Sequence, residues 1–160
     1  MHQKFEFEYD LLDNSNQLSK DDQELLEAAK KATQTAYAPY SHFNVGAAAR
    51  LSSNDIIVSS NQESASFPVG ICAERALLNS IGSQYPHQKI TTLAISYEPL
   101  GKPSNEPLSP CGMCRQSLLD YETRFQAPIK IIMAGKSGKV MVVNTASHLL
   151  PFGFDGAILK

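Results

Sequence analysis

Residues 109–116 read Ser-Pro-Cys-Gly-Met-Cys-Arg-Gln, and this stretch combines a helix start with a pair of thiols. Serine is a favoured N-cap and proline a favoured first helical residue, so we predict a helix that begins at Ser109 and reaches about Thr123. Cys111 and Cys114 are three residues apart, which places both side chains on one face of that helix. The positive end of the helix dipole also favours thiolate, the form of cysteine that binds metal.

A second short segment carries the remaining cysteine. Residues 72–75 read Cys-Ala-Glu-Arg and stand at the start of a helix predicted over residues 71–82. The chain contains three cysteines, and all of them fall in these two segments. An odd, small number of cysteines is a poor disulfide framework, so their placement in the two segments is what matters.

Three thiolates make an open metal site. A structural zinc usually has four protein ligands, whereas a catalytic zinc keeps one position for water. We therefore predict that Cys72, Cys111 and Cys114 bind one zinc ion. Glu74 follows Cys72 by two residues and can sit over the zinc-bound water without ligating the metal, so we predict that it transfers protons.

Other interpretations of these residues are less specific. Taken alone, Cys111 and Cys114 are typical of a redox pair or of half a structural zinc knuckle, but the Cys-Ala-Glu segment upstream weighs strongly against both. Residues 135–137, Gly-Lys-Ser, invite a phosphate-loop interpretation. That motif needs an earlier glycine where this chain has Lys130, so we dismiss it.

The pattern on either side of the two segments alternates between strands and helices. Two further helices are predicted, over residues 20–36 with Ser19 as N-cap and over residues 145–150. Predicted strands cover residues 43–51, 56–60, 89–97, 129–133 and 140–143. This alternation favours an α/β fold in which helices cover a mixed sheet.

The N-terminal residues 1–18 are predicted to be an extension that precedes one domain over residues 19–160. Phe5, Phe7 and Tyr9 alternate with glutamates, a period of two that suits a short edge strand. No internal repeat and no second domain are apparent in the pattern.

Composition narrows the classes of partner and compartment. The net charge is -2 and no basic stripe is present, so we expect no nucleic-acid partner. No apolar run approaches the ~20 residues that span a bilayer, so we expect no membrane partner. The N-terminus lacks the apolar run of a secretory signal, and we expect a cytoplasmic protein with reduced thiols.

The two cysteine segments resemble those of the cytidine deaminase family, in particular its short, homotetrameric members with three zinc-binding cysteines. Residues 39–48 resemble the family's opening strand, residues 110–116 its second metal segment and residues 149–154 its C-terminal signature. The resemblance implies a three-layer α/β/α fold with a mixed five-stranded sheet and one Zn²⁺ per subunit. It also implies hydrolysis of cytidine and deoxycytidine to uridine and deoxyuridine plus ammonia, in which zinc-activated water attacks C4 and Glu74 transfers the protons.

The same resemblance suggests roles for five further residues. Asn61 and Glu63 resemble the pair that hydrogen-bonds the 3′-hydroxyl of the ribose. Phe43 resembles the aromatic side chain beside the pyrimidine, and Phe154 resembles a phenylalanine that reaches into the neighbouring subunit's site. Arg75 resembles an arginine that offsets the excess negative charge of three thiolates on Zn²⁺.

Two departures from the family pattern keep alternatives open. Ser64 replaces an asparagine that is usual after the ribose-binding glutamate, and Phe67 stands where a tyrosine is common. The runner-up is therefore a related deaminase of another aminopyrimidine nucleoside or of a nucleoside antibiotic. A non-catalytic zinc protein that binds nucleosides is the alternative outside enzymes, and Glu74 argues against it because a binder needs no proton carrier.

Overall fold

The computed structural model describes residues 1–159, which form one six-stranded mixed sheet and three α-helices. The strands are β1 (Asp10–Leu12), β2 (Phe43–Leu51), β3 (Ile56–Ser60), β4 (Ile90–Pro99), β5 (Lys130–Ala134) and β6 (Val140–Val143). The helices are α1 (Lys20–Ala32), α2 (Ala73–Gln84) and α3 (Gly112–Phe125). Across the described residues, none of the helices has the length and apolar character that crossing a membrane requires.

The strand order in the sheet is β1-β6-β5-β4-β2-β3. Only β4 and β5 pair in parallel, and α3 makes the crossover between them; the other neighbouring strands pair antiparallel. β3 and β4 are both antiparallel to β2, so they run in the same direction. Because α2 follows β3 and α3 follows β4, the N-termini of these two helices lie at the same edge of the sheet.

Helices cover both faces of the sheet, as the predicted three-layer fold requires. Leu25, Leu26 and Ala29 of α1 pack with Ala48 and Ile132 on one face. The opposite face forms a larger core with α2 and α3, whose fully buried members include Leu77, Leu78, Ile81, Leu93, Ile95, Leu118 and Ile131. This core fixes α2 and α3 on the same face of the sheet. The two cysteine segments, which lie at the starts of these helices, are therefore on that face as well.

The sheet has six strands, so the prediction of five was wrong. The additional strand is β1, whose Asp10 pairs with Val142 and whose Leu12 pairs with Val140. The edge strand suggested by the alternation of residues 5–9 therefore lies a few residues further along the chain. Phe5 and Phe7 pack instead on residues 145–154, which we call the C-terminal segment. The ring of Phe5 lies 6.3 Å from that of Phe152, and the ring of Phe7 lies 5.4 Å from that of His148.

The start of α3 also differs from the prediction, because its N-cap is Cys111 and not Ser109. The carbonyl of Cys111 accepts the first helical hydrogen bond, from the backbone N–H of Arg115 at 2.9 Å. The side chain of Arg115 also bonds the carbonyl of Pro110 at 2.8 Å, which holds the proline outside the helix. Cys72 is likewise the N-cap of α2, so both helices begin immediately after a cysteine.

The remaining predicted elements differ mainly at their ends. Ser19 is confirmed as the N-cap of α1, since its hydroxyl accepts from the N–H of Asp22 at 3.2 Å. The helix ends at Ala32 and continues as a 3₁₀ turn over Thr33–Thr35. The predicted final helix over residues 145–150 is a 3₁₀ turn, Ala146–Leu149.

Gly46 is expected to be indispensable for the packing of α1 on the sheet. A Cβ atom at this position would lie 2.1 Å from the carbonyl oxygen of Ala29 in α1 and 2.7 Å from the backbone nitrogen of Thr33 in the 3₁₀ turn that continues the helix. Gly46→Ala should therefore lower the free energy of unfolding by about 3 kcal/mol, because the helix must move off the sheet. We expect Gly46→Ala to melt roughly 6–12 °C below the unsubstituted protein.

The control for this prediction is Gly156→Ala. A Cβ atom at Gly156 meets nothing within 4 Å, so that variant should melt close to the unsubstituted protein. If Gly46→Ala unfolds at the same temperature as Gly156→Ala, the close contact between α1 and β2 is contradicted.

Candidate metal centre and active site

The three thiols meet where α2 and α3 begin. The sulfur of Cys72 lies 3.8 Å from that of Cys111, which lies 3.4 Å from that of Cys114. All three sulfurs lie within 4.8 Å of one another. Tetrahedral coordination with Zn–S bonds of about 2.3 Å puts sulfur atoms ~3.8 Å apart, so the spacing of these thiols fits one zinc ion.

The environment of the thiols separates their pKa values. Hydrogen bonding from the Cys114 thiol, helped by Cys111 and by the charge of Arg75, lowers the pKa of Cys72 to about 6 against an opposing effect of burial. The Cys114 thiol donates to Cys72 and is buried, and both effects raise its pKa. Without metal, the cluster therefore stabilises a thiolate at Cys72 next to a protonated thiol at Cys114, so binding a metal as thiolate releases a proton from Cys114.

Glu74 lies in the first turn of α2 and is 5% exposed. Burial raises the pKa of its carboxyl group, and the negative charge of Cys72 raises it further. A raised pKa makes a carboxylate a stronger base, which favours its taking a proton from water. Glu74 thus lies beside the thiols as a buried carboxyl group whose pKa is raised.

A cavity of about 350 Å³ opens onto Cys72, Cys111 and Glu74. This volume lies in the range of pockets that take small molecules. Its wall includes Cys72, Glu74, Cys111, Asn61, Glu63, Val45, Phe67, Ile71, Leu108 and Ser109. Polar groups of Asn61 and Glu63 and apolar side chains therefore share one cavity with two thiols of the cysteine cluster.

The side chain of Asn61 ties the cavity wall to β2. Its amide oxygen accepts from the N–H of Val45 at 2.8 Å, and its amide nitrogen donates to the carbonyl of Phe43 at 2.9 Å. One N–H of the amide remains for a ligand, since an amide group carries two donors.

Glu63 anchors the loop that precedes β2. Its carboxylate accepts from the backbone N–H groups of Tyr40 at 3.0 Å and Ser41 at 3.2 Å, and from the Ser41 hydroxyl. The bond from the Ser41 hydroxyl and these backbone bonds lower the pKa of Glu63, which favours its ionised form, whereas the pKa of Glu74 is raised.

The other three predicted site residues lie outside the cavity wall. The ring of Phe43 stacks on Tyr97, with centroids 5.3 Å apart and an interplanar angle of 12°. Phe154 is 61% exposed on the C-terminal segment, where its carbonyl accepts from Gln116 at 2.9 Å. Arg75 acts on the cluster through its charge, which lowers the pKa of Cys72.

The sequence did not predict several of the residues that line the cavity. Leu108 and Ser109 contribute to the wall, whereas the pattern suggested only a proline-rich loop and a helix cap. The available signal was their position directly before Cys111, because residues next to a metal ligand necessarily lie near the metal. Val45 and Ile71 carry no such signal and are apolar residues of a strand and a loop.

Comparison with known proteins gives consistent results. The model of the family described as "Cytidine and deoxycytidylate deaminase zinc-binding region" matches residues 19–126. The chain is 32% identical to a cytidine deaminase of Halalkalibacterium halodurans over 134 residues, covering 84% of this chain and 94% of that protein. It is 31% identical to a blasticidin-S deaminase of Bacillus cereus over 139 residues, covering 86% of this chain and 94% of that protein.

Solved structures agree with the sequence matches. The crystal structure of cytidine deaminase from Burkholderia pseudomallei is similar to this chain with a TM-score of 0.70 and 34% sequence identity. The similarity covers 82% of this chain and 97% of that one. It therefore extends over most of this chain and nearly all of that structure.

Proposed function

Because this chain belongs to the cytidine deaminase family, we propose that its substrates are cytidine and deoxycytidine, which it hydrolyses to uridine and deoxyuridine with release of ammonia. The observation that carries the proposal is a cluster of three thiols that lines one cavity, through Cys72 and Cys111, together with the buried carboxyl group of Glu74. We further propose that it works in the cytoplasm in pyrimidine salvage, without a nucleic-acid or membrane partner.

Cys72, Cys111 and Cys114 are proposed to hold one zinc ion per subunit. Zinc, when bound, supplies an activated water near neutral pH, which is the nucleophile that a hydrolytic deamination needs. Three thiolates on one Zn²⁺ leave a net negative charge, and the guanidinium of Arg75 lies close enough to oppose it.

Glu74 is proposed to carry the protons of the reaction. Its carboxylate accepts a proton from the attacking water and delivers it to N3 of the pyrimidine as the water adds to C4. Glu74 then takes the remaining proton from the hydroxyl now on C4 and passes it to the amino nitrogen; the C4 carbonyl forms as the C4–N bond breaks and ammonia leaves. The raised pKa of Glu74 makes its carboxylate a stronger base, and its burial keeps the carboxyl group away from bulk water.

Asn61 and Glu63 are proposed to bind the 3′-hydroxyl of the sugar. A hydroxyl group donates and accepts at once, and the pair offers a free amide N–H and an ionised carboxylate in one cavity wall. Recognition of this kind discriminates strongly against a base without its sugar, because the polar groups are then left without partners.

The site is proposed to be completed in a homotetramer. Phe67 and Val69 are 73% and 70% exposed beside the cavity, an apolar surface that favours a subunit contact. In such an assembly Phe154 of one subunit would reach the site of its neighbour, and Phe43 would lie beside the pyrimidine.

A substrate panel tests the proposed function. Zinc-loaded protein is incubated with cytidine, deoxycytidine and free cytosine, and the loss of aminopyrimidine absorbance is followed. We expect both nucleosides to be deaminated and cytosine to be turned over at least ~100-fold more slowly, because cytosine lacks the hydroxyl that Asn61 and Glu63 would bind. If neither nucleoside is turned over, the proposal is wrong.

Blasticidin S belongs in the same panel as the second candidate substrate. The chain matches a blasticidin-S deaminase over nearly that protein's full length, and Ser64 departs from the usual asparagine of the sugar-binding stretch. Turnover of blasticidin S without turnover of either nucleoside would replace the proposed substrate with this one.

A further inference from the structure

The C-terminal segment lies along α3, and three side chains of that helix hold it. Near the end of the helix, the carboxylate of Glu122 accepts from the backbone N–H groups of Ala146 at 2.7 Å and Ser147 at 3.0 Å. Near its start, Gln116 donates to the carbonyl of Phe154 at 2.9 Å. The helix that carries Cys111 and Cys114 therefore also fixes the path of residues 145–154.

Arg115 makes the third attachment, and of these three side chains it is the one that also bonds the residue before Cys111. Its Nη1 atom donates to the carbonyl of Leu149 at 3.0 Å, and its Nε atom donates to the carbonyl of Pro110 at 2.8 Å. Both bonds are partly buried, and Pro110 itself is buried. One planar guanidinium group therefore joins the C-terminal segment to the residue that precedes Cys111.

This bridge acts directly before a helix start that lacks a side-chain cap. Cys111 has no side-chain cap on its helix, and the chain before it, residues 100–110, contains neither strand nor helix. Fixing the carbonyl of Pro110 limits the rotation of the peptide that joins it to Cys111. The donor geometry of arginine is rigid, so the positions of the two carbonyls are coupled to each other.

We propose that Arg115 is a positioning residue that orients Cys111 for metal binding and couples it to the C-terminal segment. This inference rests on the proposed function, because it takes Cys111 as a zinc ligand. Arg115 touches neither the cavity nor the thiols in this role; it acts through Pro110 on one side and Leu149 on the other.

Arg115→Lys tests the proposal, and Arg124→Lys is its matched control. A lysine keeps the positive charge but presents a single donor centre that cannot reproduce the planar fork between the two carbonyls. Arg124 lies on the same helix and donates to the carbonyl of Pro86 at 3.2 Å, so its replacement makes the same chemical change away from Cys111. Zinc affinity is measured by competition with a chromophoric chelator, and backbone hydrogen exchange of residues 145–154 is measured with and without zinc.

We expect Arg115→Lys to bind zinc about 10- to 100-fold more weakly than the unsubstituted protein, while Arg124→Lys binds it normally. Zinc should slow exchange in residues 145–154 of the unsubstituted protein and of Arg124→Lys, and this response should be lost in Arg115→Lys. If Arg115→Lys does not fold by circular dichroism, Arg115→Gln, which keeps one amide donor group, is measured in its place.

Unchanged zinc affinity in Arg115→Lys, or an unchanged exchange response, would overturn the positioning role and leave the proposed function intact. Failure of the unsubstituted protein to bind zinc or to deaminate cytidine contradicts the proposed function instead. Failure of the positioning role is therefore seen in the Arg115→Lys variant, whereas failure of the proposed function is seen in the unsubstituted protein.

Discussion

Glu74→Gln is expected to lower kcat for cytidine by about 10²–10⁴-fold or more while zinc remains bound. Glutamine has nearly the size and shape of glutamate, so the buried side chain keeps its packing in the first turn of α2. Its amide cannot accept a proton from water and deliver it to the pyrimidine. The loss should therefore fall on kcat, with a smaller change in KM, because the interaction removed is one made in the transition state.

The measurement pairs steady-state kinetics with zinc content by atomic absorption. Glu27→Gln is the control, because it makes the same chemical change on an exposed carboxylate of α1 that pairs with Lys30. Zinc near one equivalent in Glu74→Gln together with activity near that of the control would remove Glu74 from the proton-transfer role.

Local patterns predicted much of this fold. The strands over residues 43–51, 56–60 and 140–143 have the bounds that alternation and turn residues indicated, and Ser19 is the N-cap of α1. In each case the residues that indicate the element lie within a few positions of it, and packing of the half-buried face stabilises the same element. The spacing of Cys111 and Cys114 worked in the same way, since an i, i+3 pair faces one direction whatever the rest of the chain does.

The features that were not predicted depend on partners distant in the sequence. β1 forms because Asp10 pairs with Val142 at the edge of the sheet, and no residue near position 10 indicates that pairing. Ser109 fits a helix cap better than Cys111 by residue type, yet Arg115 binds the carbonyl of Pro110 and moves the helix start. A local rule cannot anticipate such a contact, because the competing interaction is made by another part of the fold.

The same distinction applies to the candidate site. Asn61 and Glu63 line the cavity, but the sequence did not predict that both side chains also hold the backbone around β2. Phe43 stacks on Tyr97 because β2 and β4 are neighbours in the sheet, with Phe43 opposite Pro99 in the register. Side-chain partners of this kind follow from strand order, which the local pattern left undetermined.

Cys114→Ser is expected to abolish stoichiometric zinc binding and, with it, deaminase activity. Cys114 is the fully buried member of the cluster, and its sulfur lies 3.4 Å from that of Cys111. A serine hydroxyl is similar in size to the thiol but stays protonated and is a poor ligand for zinc, so two thiolates remain where three are needed. We expect less than about 0.1 zinc per chain after dialysis, against one in the unsubstituted protein.

The thermal stability of this variant separates loss of metal from loss of fold. Zinc that binds only the folded state stabilises it by mass action, so the unsubstituted protein should melt at a higher temperature with zinc than with a chelator. Cys114→Ser should melt at one temperature in both conditions, close to that of the metal-free unsubstituted protein. Met113→Ser is the control, since Met113 is 62% exposed between the two cysteines and its replacement leaves all three thiols in place. A Cys114→Ser protein that keeps one zinc per chain would contradict the three-thiolate site. If the melting temperature of Met113→Ser were the same with zinc and with a chelator, residues 111–114 as a segment, and not their thiols, would determine metal binding.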